Sequence, residues 1–159
     1  MYKKYLENKE YYLKAQRDYT KLLDEKQQEF DKTQPGAMKF EGERVTGGQH
    51  NNKWDNYIDK VKEIDERLEV NRQLMLARKL VLDLSEQDLR NSKNTQDMIF
   101  VARFLDRKKT YQITAIVNYS ERQVKRYLKE IYEVYKPYKK RWHEMALFLW
   151  YTIHSKKCF

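Results

Sequence analysis

From residue 2 to residue 31 the chain meets no helix breaker, and its apolar side chains recur at steps of three, four or seven. They are Tyr2, Tyr5, Tyr12, Tyr19, Leu23 and Phe30, with Leu6 and Leu13 widening the same stripe. That period predicts a long amphipathic helix with a tyrosine-heavy packing seam. A second long helix is predicted from about 54 to 83. There Tyr57, Val61, Ile64, Leu68 and Met75 step by four and three, with Asn71 at the intervening position. A stripe of this kind needs a partner helix. Folding back on the first helix gives an antiparallel hairpin, and pairing with its own copy gives a parallel coiled coil. A polar Asn within such a seam selects register or oligomeric state. Between the two helices, residues 32–53 contain all four glycines of the chain together with Pro35. They predict a long loop that Phe40 and Val45 could pin to the helices.

Beyond residue 83 the pattern shortens. Ser85 stands before Glu-Gln-Asp and is expected to cap a new helix, with Asp88 in the reciprocal position, so that "SEQDLRNSKN" reads as a short helix and a joint. Asn94 or Thr95 can cap again, with Asp97 in the first turn. An apolar helix then follows through Ile99, Phe100, Ala102, Phe104 and Leu105. Pro137 is expected to end the long helix that precedes it. A last helix, about 138 to 155, carries Trp142, Met145, Ala146, Leu149, Trp150 and Ile153 on one face, widened by Leu147, Phe148 and Tyr151. So much aromatic surface is not left in water. It can dock on the tyrosine-rich pair, meet a partner, or lie on an anionic membrane through its basic end.

Residues 110–129, "TYQITAIVNYSERQVKRYLK", combine both periods and both chemistries. A DNA-binding helix-turn-helix packs two short helices steeply, and this fixes residue types over about twenty positions. Counting from Thr110, the fourth and eighth positions are apolar (Ile113, Val117), and the fifth, where the helices approach closely, is the small Thr114. The ninth needs a left-handed backbone and is Asn118, the best substitute for glycine. Tyr119 is apolar and Ser120 can cap the second helix. Val124, Tyr127, Leu128 and Ile131 face the core. The polar remainder of the second helix is then free for a ligand.

Charge adds to this reading. The net charge is +9, and residues 103–141 hold twelve Lys/Arg against four acids, whereas the rest of the chain is nearly neutral. A local excess of cations is the footprint of a polyanion-binding module. By position, Ser120, Arg122 and Gln123 are candidates for base edges, with Arg suited to guanine and Gln to adenine. Arg126 lies one turn further on. Lys125, Lys129, Lys108 and Lys109 are candidates for phosphates, and Thr110 and Glu121 complete the candidate DNA-contacting set.

The order of long helix, glycine-bearing loop ("FEGERVTGG"), second long helix ("YIDKVKEIDERLEV") and "MIFVARFLDRKKTYQITAIVNYSERQVKRYLKEI" resembles the RinA/ArpU-type activators of late genes in phages of Gram-positive bacteria. The last segment also resembles region 4 of sigma factors. The resemblance spans roughly residues 1–135 and lies in architecture more than identity. It implies a DNA-binding transcriptional activator of phage or mobile-element late operons. It also implies the host RNA polymerase as a candidate partner and the bacterial cytoplasm as the compartment. The C-terminal extension departs from the family's short tails.

Other functions find little in the residues. His50, His143 and His154 are scattered. "HEMALF" lacks the second His of a zinc helix, and Cys158 has no Cys-x-x-Cys partner. No nucleophile-base set stands out, so no enzyme activity, metal or cofactor is expected. No apolar run is long enough to span a membrane, the first residues are charged rather than signal-like, and the lone Cys suits a reducing compartment. The expected fold is all-α: a long N-terminal helical hairpin or coiled coil (1–84), a helix-turn-helix domain (85–136) and a hydrophobic C-terminal helix (137–159), with a homodimer as a candidate state. The competing function is the small terminase subunit of a phage packaging machine, which also joins a helix-turn-helix to long oligomerising helices. A ring of eight or more subunits would mark that role, and a monomer or dimer would mark a regulator.

Overall fold

The computed structural model describes residues 1–33 and 53–154, with side chains over 1–32 and 56–147. It is helical throughout, with no strand among the described residues. Helix α1 spans Tyr2–Thr33 and α2 spans Lys53–Arg90. Helix α3, Thr95–Phe100, continues into a π-helical turn, Val101–Leu105. Helix α4 spans Thr110–Val117 and α5 spans Glu121–His154. The predicted loop 32–53, with Phe40 and Val45, lies almost wholly outside the described residues.

Helices α1 and α2 lie side by side over their length. Arg78 stacks on Tyr11, Arg67 meets Glu25 at 3.3 Å and Lys60 meets Glu29 at 3.9 Å. The partners descend along α2 as they climb along α1, so the two run antiparallel. The seam on α1 follows alternate steps of three and four through Tyr5, Asn8, Tyr12, Ala15, Tyr19 and Leu22. It buries Leu22 against Ile64 and Leu68 and leaves Leu23 and Phe30 exposed. The sequence stripe had instead placed Leu23 and Phe30 in the seam. The seam takes a step of three from Tyr19 to Leu22 where the stripe took a step of four to Leu23, and both steps fit a 3.5-residue period. Beyond Leu22 the same seam carries Lys26, which pairs with Asp65. Asn71 donates to the Arg67 carbonyl of its own helix at 2.9 Å.

Two expected breaks are absent. Ser85 does not start a helix; α2 runs through it to Arg90. The seam positions Leu82, Ser85 and Leu89 continue the three-four alternation, and all three are buried. The Ser85 hydroxyl donates to the Leu82 carbonyl at 2.8 Å, which satisfies it inside the helix. The joint lies later, at 91–94, where the Asn94 side chain accepts from the N–H groups of Gln96 (2.9 Å) and Asp97 (3.4 Å) and caps α3. Nor does Pro137 end its helix, because α5 continues to His154. Proline removes one backbone hydrogen bond and costs about 3 kcal/mol in a helix interior. Its ring is exposed, so the freed carbonyl faces water, and residues on both sides of it are anchored. Trp142 packs on Tyr135 (5.7 Å) and Tyr138 (6.1 Å), with the Lys9 ammonium 4.3 Å from the Trp142 ring. Arg141 meets Glu10 at 3.2 Å, and Met145 is buried. As far as residue 147, then, the C-terminal segment docks on α1. The side chains of Leu149, Trp150 and Ile153 lie outside the described residues.

The main core sits at the end of the α1–α2 pair where all five helices meet. Tyr2, Tyr5 and Leu6 of α1 join Leu82 and Leu89 of α2, Ile99 and Phe100 of α3, Ala102 of the π-turn, Ile113 of α4, and Val124 and Ile131 of α5. Phe100 is the hub: it stacks on Tyr2 (5.4 Å) and Phe104 (5.1 Å) and meets the edges of Tyr5 and Tyr135. One carboxylate enters this core. Asp97 accepts from the Tyr2 backbone N–H at 2.9 Å and from the Ser92 hydroxyl at 2.8 Å, and it lies 3.2 Å from the Met1 amine. Three partners offset the desolvation that a buried carboxylate would otherwise suffer.

Candidate nucleic-acid interface

The candidate site is built on α4, the three residues after it and the first turns of α5. Helix α4 is short because its last N–H bond is closed by a left-handed residue. Asn118 sits at φ 54°, ψ 39°, and its N–H donates to the Thr114 carbonyl at 3.0 Å. That conformation reverses the chain within three residues. Helix α5 then starts at a reciprocal cap: the Ser120 N–H donates to the Gln123 side-chain oxygen at 3.1 Å, and the Gln123 N–H donates to the Ser120 hydroxyl oxygen at 3.4 Å. Ile113 of α4 and Val124 and Ile131 of α5 have no exposed surface, while Val117, Tyr127 and Leu128 are partly covered around them. Tyr119, in the turn, packs on Tyr127 at 6.0 Å.

With that face sealed, the other side of α5 is turned to water. Arg122, Lys125, Arg126 and Lys129 are all exposed, and spacings of three and four put them along one side of the helix. Lys125 pairs with Glu121 at 2.6 Å, and Arg126 pairs with Glu130 at 3.4 Å. Such surface pairs are worth about 0.3–0.5 kcal/mol and exchange readily for another anion. Arg122 and Lys129 have no acidic partner among the described residues. Lys109 is exposed and Lys108 and Thr110 are half-buried, all three at the start of α4. Glu121, Ser120 and Gln123 are exposed at the start of α5.

Gln123 departs from the role expected of it. Its side-chain oxygen accepts from both the Ser120 N–H and, at 2.9 Å, the Ser120 hydroxyl. Bidentate recognition of adenine needs the amide oxygen and nitrogen together, and here the oxygen is engaged in the cap. The Ser120 hydroxyl is tied to the same cap. Arg122 is left as the least encumbered group at the head of α5.

Two braces were not foreseen from the sequence. Arg90, at the end of α2, meets Glu86 at 2.9 Å and Asp106 at 3.0 Å, which fixes the loop before α4 to the long pair. These bonds hold the guanidinium pKa above its ordinary value, the Asp106 bond foremost. Arg103 donates to the Lys108 carbonyl at 3.0 Å. Between these two bonds Arg107 adopts a left-handed backbone, φ 57°, which few non-glycine residues do. A partner sixteen residues away and a strained φ leave no periodic trace in a sequence. Among the described residues no His, Cys, Asp or Glu cluster could hold a metal ion, and no helix is long and apolar enough to cross a membrane. No family model, curated protein or solved structure matches the chain.

Proposed function

We propose that the chain is a double-stranded-DNA-binding regulator of transcription. In this reading α1 and α2 form a hairpin stalk, and α4, the Asn118 turn and the head of α5 form a helix-turn-helix with residues 120–132 as the recognition segment. The observation that carries it is one helix with two opposed surfaces. The Val124–Ile131 side of α5 is sealed against α4 and the core, and its other side carries four cations into solvent directly after a left-handed turn. A major groove admits a helix of this kind, and its phosphates attract those cations. Arg122 is the candidate for a base edge, Arg126 the second, and Lys125, Lys129, Lys108 and Lys109 the phosphate contacts. The resemblance to RinA/ArpU-type activators adds late phage or mobile-element operons as the setting and the host RNA polymerase as a partner.

The test is selection of bound fragments from random and phage genomic DNA, followed by titration of the recovered site with variants. Arg122→Ala is expected to cost about 1–3 kcal/mol on the selected site and much less on random DNA. Lys129→Ala should weaken both about equally and lower the salt slope by about one unit. Equal losses on selected and random DNA for Arg122→Ala would refute base reading by this helix.

A further inference from the structure

Helix α2 is apolar along two lines about 100° apart around its axis, each residue of the second standing one position before a residue of the first. One is the seam with α1. The other runs through Val70, Leu74, Ala77, Val81 and Leu84, at steps of four, three, four and three, and every one of the five is exposed. Val70 is 69% exposed, and Leu80, beside the line, is 62% exposed. Among the described residues no other helix covers this stripe, because α5 packs on α1 and the remaining helices gather about Leu82 and Leu89. A solvated helix face would be expected to carry charge here. Instead the charged groups of the interval are turned aside and used within the hairpin: Arg72 pairs with Glu69, Arg78 stacks on Tyr11, and Lys79 pairs with Asp83.

We infer that this stripe is the two-fold interface between two copies of the chain, with the two α2 helices antiparallel and crossing at Ala77. The residue order supports a copy over any other occupant. A small residue stands at the centre, Leu74 and Leu80 lie three residues to either side, and Val70 and Leu84 seven. A two-fold axis at Ala77 therefore brings Val70 of each copy opposite Leu84 of the other and Leu74 opposite Leu80, and an isologous contact requires such self-complementary spacing. The small side chain at the crossing lets the backbones approach closely. The stripe offers no cation to a nucleic acid and too little length for a membrane span. The inference does not rest on the DNA reading, but it bears on it. The α2 C-termini at Arg90 would lie about 40 Å apart along the helix, at 1.5 Å per residue, with one α4–α5 unit at each end.

The test is sedimentation equilibrium of the full chain over a wide concentration range. A dimer of the 19.6 kDa chain is expected. Leu74→Lys with Val81→Lys should raise the dimer dissociation constant by at least ~100-fold, because two ammonium groups would face apolar surface. Helical circular dichroism should not change, since both positions are exposed in the single chain. Ile58→Lys, at an exposed apolar position of α2 outside the stripe, should leave the dimer intact. The axis is tested separately in a Cys158→Ser background. Ala77→Cys should cross-link to its copy on mild oxidation, whereas Val70→Cys should not. A monomer at all concentrations, a ring-sized mass, an unaltered dimer in the double lysine variant, or cross-linking at Val70 as efficient as at Ala77 would each overturn the inference.

Discussion

Replacing Asn118 tests the turn on which the candidate interface depends. The residue holds φ 54°, ψ 39°, exposed to solvent, with its N–H bonded to the Thr114 carbonyl. Its side chain has no hydrogen bond to lose, so substitution isolates the backbone term. An L-residue with a Cβ loses about 1–2 kcal/mol in the left-handed region, Asn is among the residues that tolerate it best, and a β-branched residue is worst. Asn118→Val should therefore destabilise by about 2 kcal/mol. Asn118→Gly should stay within about 0.5–1 kcal/mol of the parent, since relief of strain is offset by a freer unfolded chain. With a urea slope of about 2 kcal/mol/M, the valine variant should unfold near 1 M lower with the slope unchanged. The measurement is urea unfolding followed by circular dichroism. Valine equal to asparagine, or glycine as harmful as valine, would refute the left-handed turn. The two-surfaced reading of α5 would fall with it.

Three further outcomes follow from the packing. Pro137→Ala should stabilise the chain by up to about 3 kcal/mol and raise the melting temperature, because α5 is continuous through that position; a lowered melting temperature would show that the proline shapes the docked segment. Burial pushes the Tyr5 phenol up to about 12, with Glu86 adding to the shift. The unfolded phenol ionises first as pH rises past 10, so this contribution is whole below pH 10 and is lost between about 10 and 12, up to about 2 kcal/mol in all. Tyr5→Phe should therefore flatten the fall of the urea midpoint between pH 9.5 and 11.5, and an unaltered fall would exclude Tyr5 as its source. Asp97→Ala should cost about 2–4 kcal/mol in the same unfolding assay, because it strands the buried Tyr2 N–H and removes the acceptor of the half-buried Ser92 hydroxyl. A loss under 1 kcal/mol would mean that water takes over the carboxylate's role.

Periodicity carried most of what the sequence could show. The three-four alternation in α2 marks Ile64 and Leu68 as buried, and the left-handed preference of Asn marks position 118 as a turn. The errors have a common physical origin, since each took a local signal where a longer-range one decided. Ser85 looks like a cap when read with its three successors, but read with Leu82 and Leu89 it is a seam position. Pro137 looks like a stop until the anchoring of Trp142 and Met145 on α1 is counted. Leu23 joined the stripe because a step of four was taken after Tyr19 where the pair takes the step of three to Leu22. The Gln123 cap and the Arg90–Asp106 brace depend on which rotamer meets which neighbour, and spacing along a chain does not encode that.

The continuity of α5 joins two regions that the sequence had placed in separate units. Arg122 and Trp142 stand on the same continuous helix, about 30 Å apart at 1.5 Å per residue. Val124 and Ile131 clamp that helix in the core near one end and Trp142 clamps it on α1 near the other, with Pro137 between the two clamps. A substitution at Lys9 or Glu10 would loosen only the second clamp, and the proline, which lacks one backbone bond, is where the helix would give.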